Sequence, residues 1–226
     1  MKKVEALLGA ANSIFRQEGL SALLRRSFIF LVERFYWSKS YYIFVYDAER
    51  LEDLNENDFM PKSDGFEFRV VSAADQASGL AMEIVDSGWH GFRAKDALQR
   101  GAIACFTLVG NELAHVMWVA PNERARDYMR FTPISVDPSQ GEYCASGWTN
   151  PKYRRMNFAR YTSVKAVQAL KERGLTKDRY TVNKRNVPSL QTFGRFESRL
   201  CAEARYMKLL WWRFWREWPI DSWKAD

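Results

Sequence analysis

Between Trp148 and Arg160 the chain reads Trp-Thr-Asn-Pro-Lys-Tyr-Arg-Arg-Met-Asn-Phe-Ala-Arg. A strand-like run over 142–149 passes here through a turn into a helical pattern that starts near Phe158. A helix start exposes amides with no intrahelical acceptor and the positive end of the macrodipole, so it is a ready anion site. Ala159 is small enough to let a phosphate approach the backbone. Asn157 is the non-glycine residue that best tolerates a left-handed backbone. Arg154, Arg155 and Arg160 add charge around the same point. The chemistry open to such a stretch is the holding of a polyphosphate.

The charge of the whole chain points the same way. Residues 151–226 hold eighteen basic and seven acidic side chains, residues 51–150 eight and fifteen, and residues 1–50 eight and five. The excess behind the net charge of +7 therefore sits in the C-terminal third. A polyphosphate cofactor, nucleic acid or membrane headgroups could meet it, although a solvated basic face has the same composition. The acidic middle could attract a cationic substrate.

The elements that must position this stretch read as mixed α/β from residue 65 onward. Strands are expected at 66–71, 101–109, 113–120, 128–136, 142–149, 180–182 and 199–210, with Gly110-Asn111 turning a hairpin. Helices are expected at 73–87, 93–100, 158–173, where Gly174 ends the helix, and 187–193. Before them, residues 4–37 have two sets of apolar residues at helical spacing, broken at Gly19, with Arg16, Arg25, Arg26 and Arg34 beside them. Such basic amphipathic helices can dock on their own domain, pair in a homodimer, or lie on the inner face of a membrane through residues 1–40. Residues 40–46 read as a short strand. The acidic, Pro61-containing segment after them reads as a mobile linker, so the division is an N-terminal helical extension with linker over 1–64 and a second domain over 65–226.

The segment from about 66 to 210 resembles the GNAT (GCN5-related) N-acetyltransferase superfamily. The pyrophosphate loop of that family has Arg or Gln, two variable residues, Gly, one variable residue, then Gly or Ala. Arg154, Asn157 and Ala159 match those places, with Asn157 in place of the first glycine. Pro151-Lys152-Tyr153 resembles the usual entry to the loop, and Lys171-Glu172-Arg173-Gly174 the usual end of the following helix. Asn186 and Ser189 match the Asn and the Ser or Ala, three residues on, that border the pantetheine arm. The resemblance implies an α+β fold with a mixed, mostly antiparallel central sheet flanked by helices. It implies acetyl-CoA or another acyl-CoA as cofactor, bound by Trp148, Thr149, Arg154, Arg155, Met156, Asn157, Phe158, Ala159, Arg160, Asn186 and Ser189. It also implies direct attack on the thioester by a small-molecule amine, an amino sugar or an amino-acid-like amine. Glu142, at the start of the strand before the loop, stands where the family often places a carboxylate base. The family's thiolate-protonating Tyr is replaced by Phe193, which cannot donate a proton. Tyr143 and Tyr206 are other phenols that could serve.

The remaining residues with chemical potential imply less. Cys105, Cys144 and Cys201 form no CxxC pair, and only His90 and His115 could join them, so neither a zinc site nor a disulfide framework is expected. The cysteine count suits a cytoplasmic protein. No apolar run is long enough to span a membrane, and Glu5 interrupts what could pass for a signal peptide. Cys144 has no evident His partner to activate it as a nucleophile. His115 reads as a structural histidine. Trp211, Trp212, Trp215, Trp218 and Trp223 crowd the last sixteen residues among Lys208, Arg213 and Arg216. Such a tail could stack bases, anchor in a membrane interface or pack against the N-terminal helices. The reading is a CoA-dependent N-acyltransferase with no nucleic-acid partner. A catalytically inactive ligand-binding module and a membrane-surface binding protein are the alternatives.

Overall fold

The computed structural model describes residues 21, 35–48, 56–73, 92–193 and 198–220. Of the helices expected over 4–37 and 73–87, residues 4–20, 22–34 and 74–87 lie outside the described residues, as do His90 and Trp223, while Tyr36 and Trp37 are already strand rather than helix. The chain forms β1 (Tyr36–Asp47), β2 (Phe66–Val71), α1 (Ala94–Gln99), β3 (Ile103–Val109), β4 (Glu112–Ala120) and α2 (Glu123–Tyr128). It continues with β5 (Glu142–Thr149), α3 (Phe158–Lys171), β6 (Lys177–Asn183), α4 (Val187–Phe193), β7 (Arg199–Leu209) and β8 (Trp212–Pro219). The eight strands form one sheet in the order β2-β3-β4-β5-β6-β1-β7-β8. Four of the pairings with a defined register are antiparallel and one, β5 with β6, is parallel. Among the described residues, no helix is long and apolar enough to cross a membrane.

The chain divides into two compact units, one of residues 41–204 and 217–226, the other of residues 1–40 and 205–216. The first has its core between α3 and the sheet. Val164 and Val167 pack with Tyr46, Phe59, Tyr180 and Val182, while Ala166 and Leu170 pack with Met117, Val119 and Tyr143. This is the apolar face that the 3.6-residue spacing of 158–173 implies. Gly174 ends that segment in a left-handed conformation, with φ 76°. Within the expected linker, Phe59 is buried in this core, and the Lys62 amide donates to the Met156 carbonyl at 3.0 Å. The second unit contains the outer residues of β1, β7 and β8; there Trp37 meets Tyr206 edge-on at 5.3 Å.

Two expectations are corrected. Residues 128–136 are not a strand. Asn122 caps α2 by accepting from the Ala125 amide at 2.9 Å, and the chain after Tyr128 runs irregularly to Asp137. Ile134 and Val136 are buried, which mimics strand alternation. Pro133, however, lacks the N–H a ladder requires, and the buried Arg126 takes the Ile134 carbonyl at 2.6 Å. The Trp-rich tail contains β8, an eight-residue strand that the expected elements omit. Its run Trp-Arg-Phe-Trp-Arg-Glu-Trp is rich in strand-favouring aromatics, which was the available signal.

Candidate active site

The decisive geometry is where β5 and β6 part. These parallel strands pair only at Glu142–Lys177 and Tyr143–Asp178. Beyond that point the sheet opens as a fork, and a cavity of about 340 Å³ occupies the opening. Cys144 to Trp148 line one side and Arg179 to Thr181 the other, with Phe92, Trp118 and the stretch after α2 closing it. Trp118 pairs with Ser146 across β4 and β5. Strand alternation therefore puts Trp118, Cys144, Ser146 and Trp148 on the face away from α3, since Met117, Val119 and Tyr143 pack against that helix. On β6, Thr181 also belongs to the cavity side, where its hydroxyl meets that of Thr132 at 2.8 Å.

The loop after β5 is held from below. The Asn150 amide donates to the Ala114 carbonyl at 3.0 Å, and its side chain donates to the Leu113 carbonyl at 3.1 Å. The Tyr153 hydroxyl donates to Glu112 Oε2 at 2.7 Å, and Lys152 forms an ion pair with the same carboxylate. These bonds, from Lys152 first and then Tyr153, hold the Glu112 carboxyl below its usual range. Tyr153 packs edge-on against Phe158, with ring centroids 5.5 Å apart, and Phe66 packs on Phe158 in turn. Sequence reasoning passed over Glu112; nothing in its neighbourhood distinguishes it from an ordinary hairpin residue.

Above this support the backbone turns openly before the helix begins. Arg155 and Asn157 both adopt left-handed conformations, with φ 65° and 66°, as the left-handed tolerance of asparagine suggested. Asn157 occupies the N-cap position of α3 but makes no side-chain cap. Its side-chain Nδ2 donates instead to the Met60 carbonyl at 3.4 Å. Among the described residues, the backbone N–H groups of Met156, Asn157, Phe158 and Ala159 meet no acceptor. The turn thus presents backbone donors at a helix N-terminus, with Arg154 and Arg155 exposed beside it. A diphosphate fits that donor set.

The other residues singled out in the sequence fall in different places. Trp148 lines the cavity. Thr149 accepts or donates at 2.8 Å to Nδ1 of His115, a buried ring whose pKa burial lowers to about 3. His115 is therefore a neutral structural residue, and Gly147 makes room for it: a Cβ there would sit 3.1 Å from its Nε2. Asn186 caps α4, with the Ser189 amide donating to its Oδ1 at 3.4 Å, so that pair has a local structural task at the start of the helix after β6. Glu142 lies at the closed end of the fork, where its carboxylate accepts from the Asp137 amide at 3.0 Å; it is not among the cavity-lining residues. Tyr143 is fully buried on the α3 side, and burial raises its pKa well above the usual value. Cys144 lines the cavity as a neutral thiol, its pKa pushed up to about 12 by burial. A group the sequence did not suggest is Asp178, buried where the fork closes, with Oδ1 unpartnered among the described residues and its pKa pushed up to about 8 by burial.

Proteins of known structure share this fold. The chain aligns with a GCN5-related N-acetyltransferase-like protein of Streptococcus suis at 12% identity and a TM-score of 0.52, covering 88% of this chain and 69% of that one. The chain has the GCN5-related N-acetyltransferase fold. The GNAT fold is matched again, at the same identity, score and coverage of this chain, in a fungal multi-domain β-N-acetylglucosaminidase. The match is to a region described as a GCN5-related glucosamine N-acetyltransferase, and the alignment spans 23% of that large protein. A Drosophila protein aligns over 85% of this chain and 58% of its own length, at 12% identity and a TM-score of 0.49. No protein-family model matches the sequence, and no curated protein matches it.

Proposed function

We propose that the protein is a CoA-dependent N-acyltransferase that moves an acetyl group from acetyl-CoA to a primary amine. The observation that carries this reading is the parting of β5 and β6 ahead of a loop, left-handed at Asn157, whose backbone amides from Met156 to Ala159 meet no acceptor among the described residues. The unpartnered backbone amides from Met156 to Ala159, with Arg154 and Arg155, hold the cofactor's phosphates. When bound, acetyl-CoA supplies a thioester carbonyl for the amine to attack. Backbone amides of β5 freed by the fork are placed to donate to the oxygen that gains charge.

The cavity on the face away from α3 receives the amine. Among its lining residues are Arg130 and Arg179 and no carboxylate. Arg179 is itself paired with Glu217 at 2.7 Å, while no partner among the described residues meets the Arg130 side chain. That lining favours an amino-acid-like acceptor, whose carboxylate meets an arginine, over a polyamine. Phe92, Trp118 and Trp148 supply apolar walls. The amine must lose a proton as it attacks; Glu142 is the sequence's candidate for that role, and because it does not line the cavity a water chain would have to link it to the amine.

Calorimetry with acetyl-CoA tests the reading. Saturable binding that Arg154→Ala weakens by about ten- to a hundredfold is expected, the loss of a charge-assisted phosphate contact. No binding by the wild-type chain would remove the catalytic claim. Binding without transfer across a panel of amino acids and amino sugars would make the protein a ligand-binding module instead, the reading that Phe193 favours.

A further inference from the structure

The turn between β7 and β8 is built against the usual rules for a hairpin. Its two residues are Leu210 and Trp211, where a two-residue turn normally calls for glycine or asparagine. Leu210 adopts φ 56°, the left-handed region that a leucine occupies only under strain. Its amide donates to the Phe35 carbonyl of β1's approach. Trp211 and Trp212 are 74% and 56% exposed, and Leu209, Leu210, Phe214 and Phe35 are exposed with them. These exposed apolar side chains gather at the hairpin turn, with Lys208 and Arg213 next to them in sequence.

We propose that this tip is a wedge that seats the protein on an anionic lipid surface. Indole rings and aliphatic side chains suit the boundary between headgroups and acyl chains, and flanking cations suit the headgroup charge. Residues 35–40 and 205–216 together hold five basic residues and no acidic one, so a second copy of the same patch would meet like charge. A nucleic-acid strand would stack its bases on aromatic rings, whereas this patch includes two exposed leucines that cannot stack on bases. The inference is independent of the acyl-transfer reading, since it uses none of the residues at the fork.

Flotation of the full-length protein with vesicles tests it, using phosphatidylcholine alone and an equal mixture with phosphatidylglycerol. Binding to the mixed vesicles that salt weakens is expected, with little binding to the neutral ones. The double variant Leu210→Asn, Trp211→Gly gives the turn residues it prefers, so the hairpin persists while the wedge is lost. Its binding should fall at least about tenfold with an unchanged melting temperature or a higher one. Lys208→Gln and Arg213→Gln should each lower binding by about fivefold, the worth of one cation near such a surface. The proposal is overturned if the wild type ignores anionic vesicles, if the double variant binds as well as the wild type, if the variant alters only the oligomeric state, or if the tip retains an oligonucleotide in preference to vesicles.

Discussion

The turns at Asn157 and Leu210 each place a non-glycine residue in the left-handed region, and they do so to opposite ends. At Asn157 the residue tolerates the conformation, its side chain folds back onto Met60, and what the turn presents is backbone. At Leu210 the residue resists the conformation, and what the turn presents is side chains. The first turn rests on Tyr153, Phe158 and Glu112, so its amides are fixed in place before any ligand arrives. The second has exposed apolar residues at its tip. A rigid cradle of donors suits a polyphosphate, whose oxygens need several amides at once. An exposed apolar turn suits a soft, extended surface, where depth matters more than register. Chemical role thus follows from which part of the chain each turn exposes.

The largest expected effect comes from removing what lies beneath the first turn. Phe158 is buried between Tyr153 and Phe66, so Phe158→Ala should cost about 3–5 kcal/mol of stability, read as a lowered melting temperature. Acetyl-CoA binding should fall further than that loss explains, because the loop above loses its floor. Trp211→Ala, at the exposed tip, should leave the melting temperature almost unchanged. Equal losses in the two variants would break the contrast between a supported turn and a free one.

A second, smaller effect is expected at the base of the fork. Asp178 has its pKa raised from 3.8 to about 8 by burial. Between those values the unfolded chain has released the proton while the folded chain retains it, so stability falls as pH rises through that window and levels off above it. Asp178→Asn should therefore stabilise the protein at neutral pH by a few kcal/mol, roughly, and flatten the dependence of its melting temperature on pH from 5 to 8. A wild-type melting temperature that rises over that range would show that the carboxylate is ionised in the fold and partnered.

Much of the first region was legible in the sequence, because local rules govern it. The β3–β4 hairpin followed from Gly110-Asn111, the helix at 158 from its 3.6-residue period, and the open left-handed turn from an asparagine where the resemblance expects a glycine. The fork was not legible, since no residue announces that two parallel strands will stop pairing after two positions; that is a consequence of tertiary packing. Asp178 was missed for the same reason, because burial of a lone carboxylate is invisible until the sheet closes around it. The hairpin of β7 and β8 was missed because Leu-Trp at the turn lacks the glycine or asparagine that marks such turns. The omission and the strain at Leu210 have one cause, a turn sequence that serves something other than turning.

The smallest expected effect separates the two turns most directly. Glycine occupies φ near 60° without the steric clash of a Cβ. At Leu210 the substitution removes a penalty of about 1–2 kcal/mol while adding some unfolded-state entropy, so Leu210→Gly should raise stability by up to about 1 kcal/mol. At Asn157 the penalty is already small, and the side chain's bond to Met60 is long, so Asn157→Gly should change stability by only a few tenths of a kcal/mol. Denaturant melts of the two variants against the wild type measure the difference. A gain at Leu210 with none at Asn157 means that the tip retains a strained leucine at a cost to folding, which is expected where the exposed side chain has a use outside the fold. Equal responses would mean that the backbone at Leu210 relaxes at no cost, and the strain would then no longer argue for a role at the tip.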